Sequence, residues 1–350
     1  MMNWSEILRL HKKADEHSVL LTVAATQGST PRETGASMLV TNDSVHGTIG
    51  GGELEYRAIA KAKEVLCSEK PMAQLLDMPL GPELAQCCGG TVRLLVSPLQ
   101  RSDQIWMEAL CQNMDNKVLV TNWADRSLTR DVVTYTAGTQ MPHAALIEQC
   151  LTEHRSKIVT ADDEAFTLIE PASPFRFHLT LFGAGHVGKA IVNALSPLPC
   201  KIDWVDERAE MFTSNLPANV KPIVVNDPST AVLDMPKNGH CLILTHSHQQ
   251  DLEICAKVLK RTDAGFVGLI GSDTKRAKFE RRLKLRGVDE ASLLALVCPI
   301  GITDLRGKAP AEIAISVCAE LLIYQQKMED KNMGTSNERK TLFGSKSRKG

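Results

Sequence analysis

Two stretches of the chain carry residue types and spacings that do chemistry. In LGPELAQCCGGTVRLLV, Cys87 and Cys88 stand side by side and run into Gly89 and Gly90, just before a strand-like segment. A thiol on a glycine-rich turn can be exposed, and backbone N–H groups around it lower its pKa. The resulting soft thiolate suits a metal centre or sulfur transfer. Neighbouring side chains point apart and a disulfide between them would be strained, so one thiol is expected to act and the other to be structural. In FGAGHVGKA, Gly183, Gly185 and Gly188 form G-x-G-x-x-G between a β-rich run and a helical one. The first glycine permits a tight turn, the second lets backbone approach a diphosphate, and the third lets the helix pack against the strand. Asp206 closes the next strand, 18 residues after Gly188, where a carboxylate would meet a ribose hydroxyl. Either this domain binds a nucleotide or it keeps the turn and binds nothing.

Three weaker signals accompany these. HGTIGGGELEYRAI places Gly50, Gly51 and Gly52 directly before a helix, where converging N–H groups and the helix dipole could hold an oxyanion. Glu53 and Glu55 count against this, and a plain tight turn is the alternative. Arg32, on the loop TQGSTPRETG, could clamp an anion or simply be solvated. His246 and His248 in THSHQQD follow a strand, with Asp251 at the start of the next helix. A metal would need a third ligand that is not evident, so hydrogen bonding to a ligand or helix capping is expected. Finally, the helix in IGSDTKRAKFERRLKLR, capped by Ser272 or Asp273, carries seven Lys or Arg against one Glu from Lys275 to Arg286. It reads as a solvated basic face, or as a docking surface for an acidic partner or a phosphate-rich ligand.

The elements that must position these residues fall into two halves. A length of 350 residues allows about two domains. Apolar residues at 43% and charged ones at 23% suit a globular chain, and a net charge of −1 argues against a nucleic-acid binder. No secretory leader is read at the N-terminus, and no apolar run approaches the ~20 residues that span a bilayer. A cytoplasmic location without membrane attachment is expected. The ten cysteines include no C-x-x-C, which argues against a zinc ribbon or a thioredoxin-type site, and most lie in apolar runs as small buried hydrophobes.

The prolines of PASPFRF mark a boundary. Residues 1–172 read as an α+β domain. Residues 178–325 alternate strands and helices, which predicts a Rossmann-like domain with a mostly parallel sheet, so the fold class is α/β. Residues 326–350 read as a disordered basic tail, with six Lys or Arg against one Glu in the last twenty residues.

Taken together, several segments resemble the xanthine dehydrogenase accessory protein family of the XdhC/CoxI type. They are LTVAATQGSTPRETGASMLVT, HGTIGGGELEYRAI and LGPELAQCCGG in the first half, and FGAGHVGKAI with WVDERAEMF, THSHQQDLEIC, FVGLIGSDTKRAKFERRL and CPIGITDLRGKAPAEIAISVCAEL in the second. The resemblance spans roughly residues 4 to 325, in family order, and is nearest to the branch serving bacterial xanthine dehydrogenase in purine catabolism. It implies a chaperone, without turnover or catalytic residues of its own, for the molybdenum cofactor in its molybdopterin form. Such a protein shields the cofactor, supports its sulfuration with a cysteine desulfurase, and inserts it into the cofactor-containing subunit of xanthine dehydrogenase. Cys87 or Cys88 would contact molybdenum, a nucleotide could occupy the Rossmann crevice, and a homo-oligomer is expected. The competing functions are an NAD(P)-dependent oxidoreductase using the Rossmann half and a scaffold that binds no cofactor.

Overall fold

The computed structural model describes residues 2–15, 17–81, 89–160 and 165–334. They form two units, with the boundary between Pro174 and Phe175.

The first unit begins with α1 (Trp4–Lys13), whose N-terminus is capped by Asn3 accepting from the Ser5 N–H at 3.0 Å. Then come β1 (Ser18–Gln27), β2 (Ser37–Thr41), β3 (Val45–Gly47), α2 (Gly52–Leu66), β4 (Gln74–Pro79) and β5 (Thr91–Leu99). These five strands make an antiparallel sheet in the order β3-β2-β1-β5-β4. β1 is the central strand, and its first eight residues are all buried. Alternation along it explains why. Val19, Leu21 and Val23 pack with Leu54, Ala58 and Ala62 of α2, while Leu20 packs on the other side with Trp4, Ile7 and Leu10 of α1. Each such fully buried aliphatic side chain contributes ~1.5–3 kcal/mol. A second layer comprises α3 (Gln104–Cys111), β6 (Lys117–Ala124), β7 (Ser127–Thr134), α4 (Ala144–Glu153), β8 (Lys157–Thr160) and β9 (Phe166–Pro171), with an antiparallel sheet ordered β7-β6-β9-β8.

Register places the chemistry-bearing segments. β1 pairs with β5 from Ser18↔Leu99 to Gln27↔Thr91, with a bulge between Val23 and Ala25. β3 pairs with β2 through Met38↔Gly47, and β4 with β5 through Pro79↔Thr91. The loop after β1, the GGG turn after β3 and the segment before β5 therefore leave the same end of the sheet.

The second unit comprises β10 (Phe177–Phe182), α5 (His186–Leu195), β11 (Cys200–Asp206), β12 (Val220–Val224), β13 (His240–Ile243), α6 (His248–Val258), β14 (Val267–Leu269), α7 (Asp273–Leu285), α8 (Glu290–Leu294), β15 (Leu296–Val297) and α9 (Pro310–Gly334). All six strands are parallel, in the order β12-β11-β10-β13-β14-β15. Separate cores form on the two faces: α5 and α9 pack with Leu179, Leu181 and Trp204, and α6 and α7 with Phe182, Val205 and Ile243. This is the α/β arrangement of a Rossmann-like domain, and the strand order reverses between β10 and β13. α9 continues through Gly334, so the chain is still helical beyond residue 326, where the tail was expected to begin; residues 335–350 lie outside the described residues. Among the described residues, no helix is long and apolar enough to cross a membrane.

Candidate functional site

In the first unit three glycine segments interlock. A Cβ on Gly90 would collide with the Ser29 carbonyl and lie 2.5 Å from that of Gln27, so this backbone is wedged against the loop after β1. Leu80 N–H donates to the Gly90 carbonyl at 2.8 Å. A Cβ on Gly50 would lie 2.5 Å from Pro31 Cγ, and the Arg32 guanidinium donates to the Thr48 carbonyl at 3.2 Å. Gly51 and Gly89 face open space, with nothing within 4 Å of a Cβ placed there. Cys87 and Cys88 lie outside the described residues; the chain joins Cys88 directly to Gly89.

The GGG turn does not present its amides freely, as an anion cradle would require. The Glu55 carboxylate accepts from Thr48 Oγ1 at 2.6 Å, Ile49 N–H at 3.1 Å and Gly51 N–H at 3.0 Å. Gly50 N–H donates to Thr48 Oγ1 at 3.1 Å. Burial pushes the Glu55 carboxyl up, but the bonds from Thr48 and the turn amides outweigh this and hold it below the usual carboxylate range. A carboxylate one turn into the helix thus fills the place expected for an external oxyanion. Arg32 is also committed, to Thr48 and to Glu33 at 3.4 Å.

In the second unit, the fingerprint follows β10. Gly183 has φ +114°, a left-handed value that disfavours any side chain, and its Cβ would lie 2.8 Å from Leu244 C. A Cβ on Gly188 would collide with the Gly183 carbonyl, whereas Gly185, the N-cap of α5, faces open space. Close packing at the first and third glycines with room at the second is the pattern a diphosphate cradle needs. Asp206 stands at the end of β11 as expected, but its carboxylate is fully engaged. It accepts from Ala184 N–H at 2.6 Å, Arg208 N–H at 3.0 Å, and Arg208 Nε and Nη2 at 2.9 Å each. Burial raises its pKa, and the Arg208 and Ala184 bonds more than reverse that. The ribose role read from spacing therefore has an internal competitor, Arg208, two residues further on.

His246 and His248 are exposed, and the structure does not join them. His246 Nε2 lies 3.5 Å from Glu207, which also accepts from Gln250 Nε2 at 2.6 Å. Because β10 lies between β11 and β13, this bridge crosses the C-terminal end of β10, where the fingerprint starts. Ser247 caps α6, so Asp251 is not at its start but inside its first turn, fully buried. It accepts from Thr245 N–H and Oγ1 at 3.1 and 2.7 Å and pairs with Lys275 Nζ at 2.6 Å. The basic helix is mostly exposed, but Lys275 is drawn inward, and Arg276 and Lys284 pair with Glu280 and Glu290. Glu207 and Arg208 are the site residues that no motif signals; Glu55 and Asp251 are visible in the sequence, but the turn amides, hydroxyl and ammonium they engage are not. Among the described residues, no group of three or more His, Cys, Asp or Glu is placed to hold a metal. Burial pushes Cys150 and Cys200 up to about 12 and Cys318 up to about 11, which keeps them as neutral thiols.

Residues 11–77 match the XdhC and CoxI family, and residues 179–321 match the XdhC Rossmann domain. The chain belongs to the XdhC and CoxI family. The first XdhC match takes in the loop after β1 and the GGG turn, and the second runs from the fingerprint strand into α9. The uncharacterized protein YqeB of Escherichia coli (strain K12) is 34% identical over 150 residues, which are 42% of this chain and 27% of YqeB. The match thus spans little more than a quarter of that relative. A Bacillus subtilis (strain 168) protein named as a probable subunit of xanthine dehydrogenase is 22% identical and aligns over 94% of this chain and 99% of its own length. A crystal structure described as a xanthine dehydrogenase from Bacillus halodurans superposes with a TM-score of 0.70 at 21% identity, covering 98% of this chain and 100% of that one. At that identity the likeness concerns the fold.

Proposed function

We propose that this XdhC-type chain is a chaperone for the molybdenum cofactor in its molybdopterin form, which protects the cofactor, supports its sulfuration and inserts it into xanthine dehydrogenase. Family membership supports an accessory role for that enzyme. The observation that carries the finer reading is the convergence, at one end of the first sheet, of the Gln27–Arg32 loop, the GGG turn and Gly89–Gly90. The open faces of Gly51 and Gly89 leave room beside a backbone that is covalently continuous with Cys88. Cys87 or Cys88 would supply the soft donor. Arg32 and Gly52 would face the phosphate end, and Glu55 would have to release Ile49 and Gly51 N–H before those could bind an anion. When bound, the cofactor supplies the molybdenum whose oxo ligand is exchanged for sulfido with a cysteine desulfurase. The chain's own part is to hold the pterin, present a thiol and limit access of water and oxidants. A nucleotide in the Rossmann crevice and assembly as a homo-oligomer belong to the same proposal.

The test is the molybdenum, pterin and phosphorus content of protein purified from a molybdate-fed, cofactor-producing host. Stoichiometric pterin and molybdenum are expected for the wild type. Of Cys87→Ala and Cys88→Ala, one should lose most of the metal and the other almost none. A double Cys→Ala protein that carries and delivers sulfurated cofactor normally overturns the thiol role. Tightly bound NAD(P) without pterin would favour the oxidoreductase reading, and neither ligand would favour a scaffold.

A further inference from the structure

The second unit has a cavity of ≈450 Å³ beside the starts of α6 and α7, and of the candidate ligand residues named above only His248 and residues of the basic helix line it. His248, Lys275, Lys278, Phe279, Arg281 and Arg282 line it, together with Ser272 and Thr274. No carboxylate is among the lining residues.

The charges there are not equivalent. Lys275 is neutralised from beneath by buried Asp251, which fixes its ammonium at 2.6 Å and so holds α7 against α6. Arg282 donates to Gln249 Oε1 at 3.3 Å, a neutral partner that leaves its charge uncompensated. Lys278 and Arg281 are exposed and, among the described residues, make no ion pair. Their spacing from Thr274, at four and seven residues, sets all three on one helical face. Three uncompensated cations therefore surround one concavity. The lining takes in His248, the first residue of α6, and Ser272, the N-cap of α7, and then runs along the flank of α7 as far as Arg282. Asp273, in the first turn of α7, is exposed and does not line the cavity. α6 follows β13 and α7 follows β14, so the helix starts that line the cavity lie beyond the carboxyl ends of two parallel strands, the side on which open α/β sheets bind ligands.

We infer that this cavity is a binding site for a phosphate-bearing small molecule, with Lys278 and Arg281 as its principal ligands and the Thr274 hydroxyl as an additional donor. Concavity decides between a small anion and an acidic protein surface. The volume lies within the ~300–1,000 Å³ of small-molecule sites, and a guanidinium fork pairs with phosphoryl oxygens in two-point fashion. The inference does not depend on the molybdenum cofactor reading.

The full-length chain is titrated calorimetrically with inorganic pyrophosphate. Binding at this cavity is expected in addition to any at the G-x-G-x-x-G turn, which the cavity variants leave intact. The double variant Lys278→Ala/Arg281→Ala should weaken binding at least tenfold, and Arg281→Gln alone should weaken it measurably. Both side chains are exposed, so unchanged thermal melting should accompany the loss. Lys284→Ala, on the same helix but paired with Glu290 outside the cavity, should bind as the wild type does. Three results overturn the proposal: no pyrophosphate binding up to about 1 mM, the weakest affinity of interest; equal weakening by Lys284→Ala, which would make the effect one of net charge; or poly-glutamate binding more tightly than pyrophosphate through the same two residues, which would make the surface a protein-docking face.

Discussion

The two units each build a glycine turn before a helix, and each turn is met by a carboxylate of the chain itself, but the carboxylates arrive by different routes. Glu55 belongs to the helix that the GGG turn begins, and it reaches back to Ile49 and Gly51 N–H. Asp206 comes from the neighbouring strand, is 4% exposed, and is held by Ala184 and Arg208 together. A half-buried side chain on its own helix can rotate away into water at small cost. A buried one with a guanidinium locked onto it cannot leave without stranding donors. The first turn is thus a site whose amides can be released, and the second is fixed architecture with a single open glycine.

The largest effects should come from the packed glycines. Gly90→Ala and Gly188→Ala each drive a methyl into a backbone carbonyl, and each should cost about 3 kcal/mol or more. Gly185→Ala, which faces open space, should cost less than ~1 kcal/mol. Denaturant unfolding of the three variants measures this, and equal losses would erase the division into packed and open positions.

Intermediate effects should separate the two carboxylates. Asp206→Asn should cost ~2–3 kcal/mol and Glu55→Gln about 1 kcal/mol or less. Both native carboxyls lie below their ordinary pKa. Their contribution is therefore complete above the ordinary carboxylate value of about 4 and is lost as the pH falls through the lower folded-state values. Stability followed from pH 7 to pH 3 should fall less steeply in the variants than in the wild type, with the larger flattening in Asp206→Asn. The reverse order would mean that Glu55 is the fixed group.

The smallest effect on stability, and the most selective one, belongs to Gly185→Val. The side chain enters open space, so melting should change little, while titration with NADH or NADPH should show binding lost relative to the wild type. Undiminished binding in the folded variant would place any nucleotide outside the fingerprint.

How much of this was legible follows the same division. The parallel sheet declared itself because β10 and β13 are buried on both faces and are followed by the helices α5 and α6, while β11 is buried apart from Lys201 and Asp203. β7 and β8 are half-exposed, and their mixed residues carry no such signal. The glycine motifs were visible as letters. Their convergence was not, because it depends on β1–β5 pairing and on the bulge after Val23, neither of which is local. Asp206 was found by spacing and its engagement by Arg208 missed, since spacing does not report which donor arrives first. The pairing of Lys275 with Asp251 is not legible in the sequence, because it joins two helices across 24 residues of chain.

The bridge from Glu207 to His246 and Gln250 stands across the end of β10, and a dinucleotide lying over that strand would have to open it. Such a ligand would meet only the fraction of molecules in which that bridge is open. Its apparent affinity is the intrinsic one reduced by that fraction, so a closed state favoured by about 1.4 kcal/mol lowers it about tenfold. A ligand that engaged Glu207 or Gln250 would in turn remove that handicap for whatever entered next, and the order of arrival would then be written into the fold.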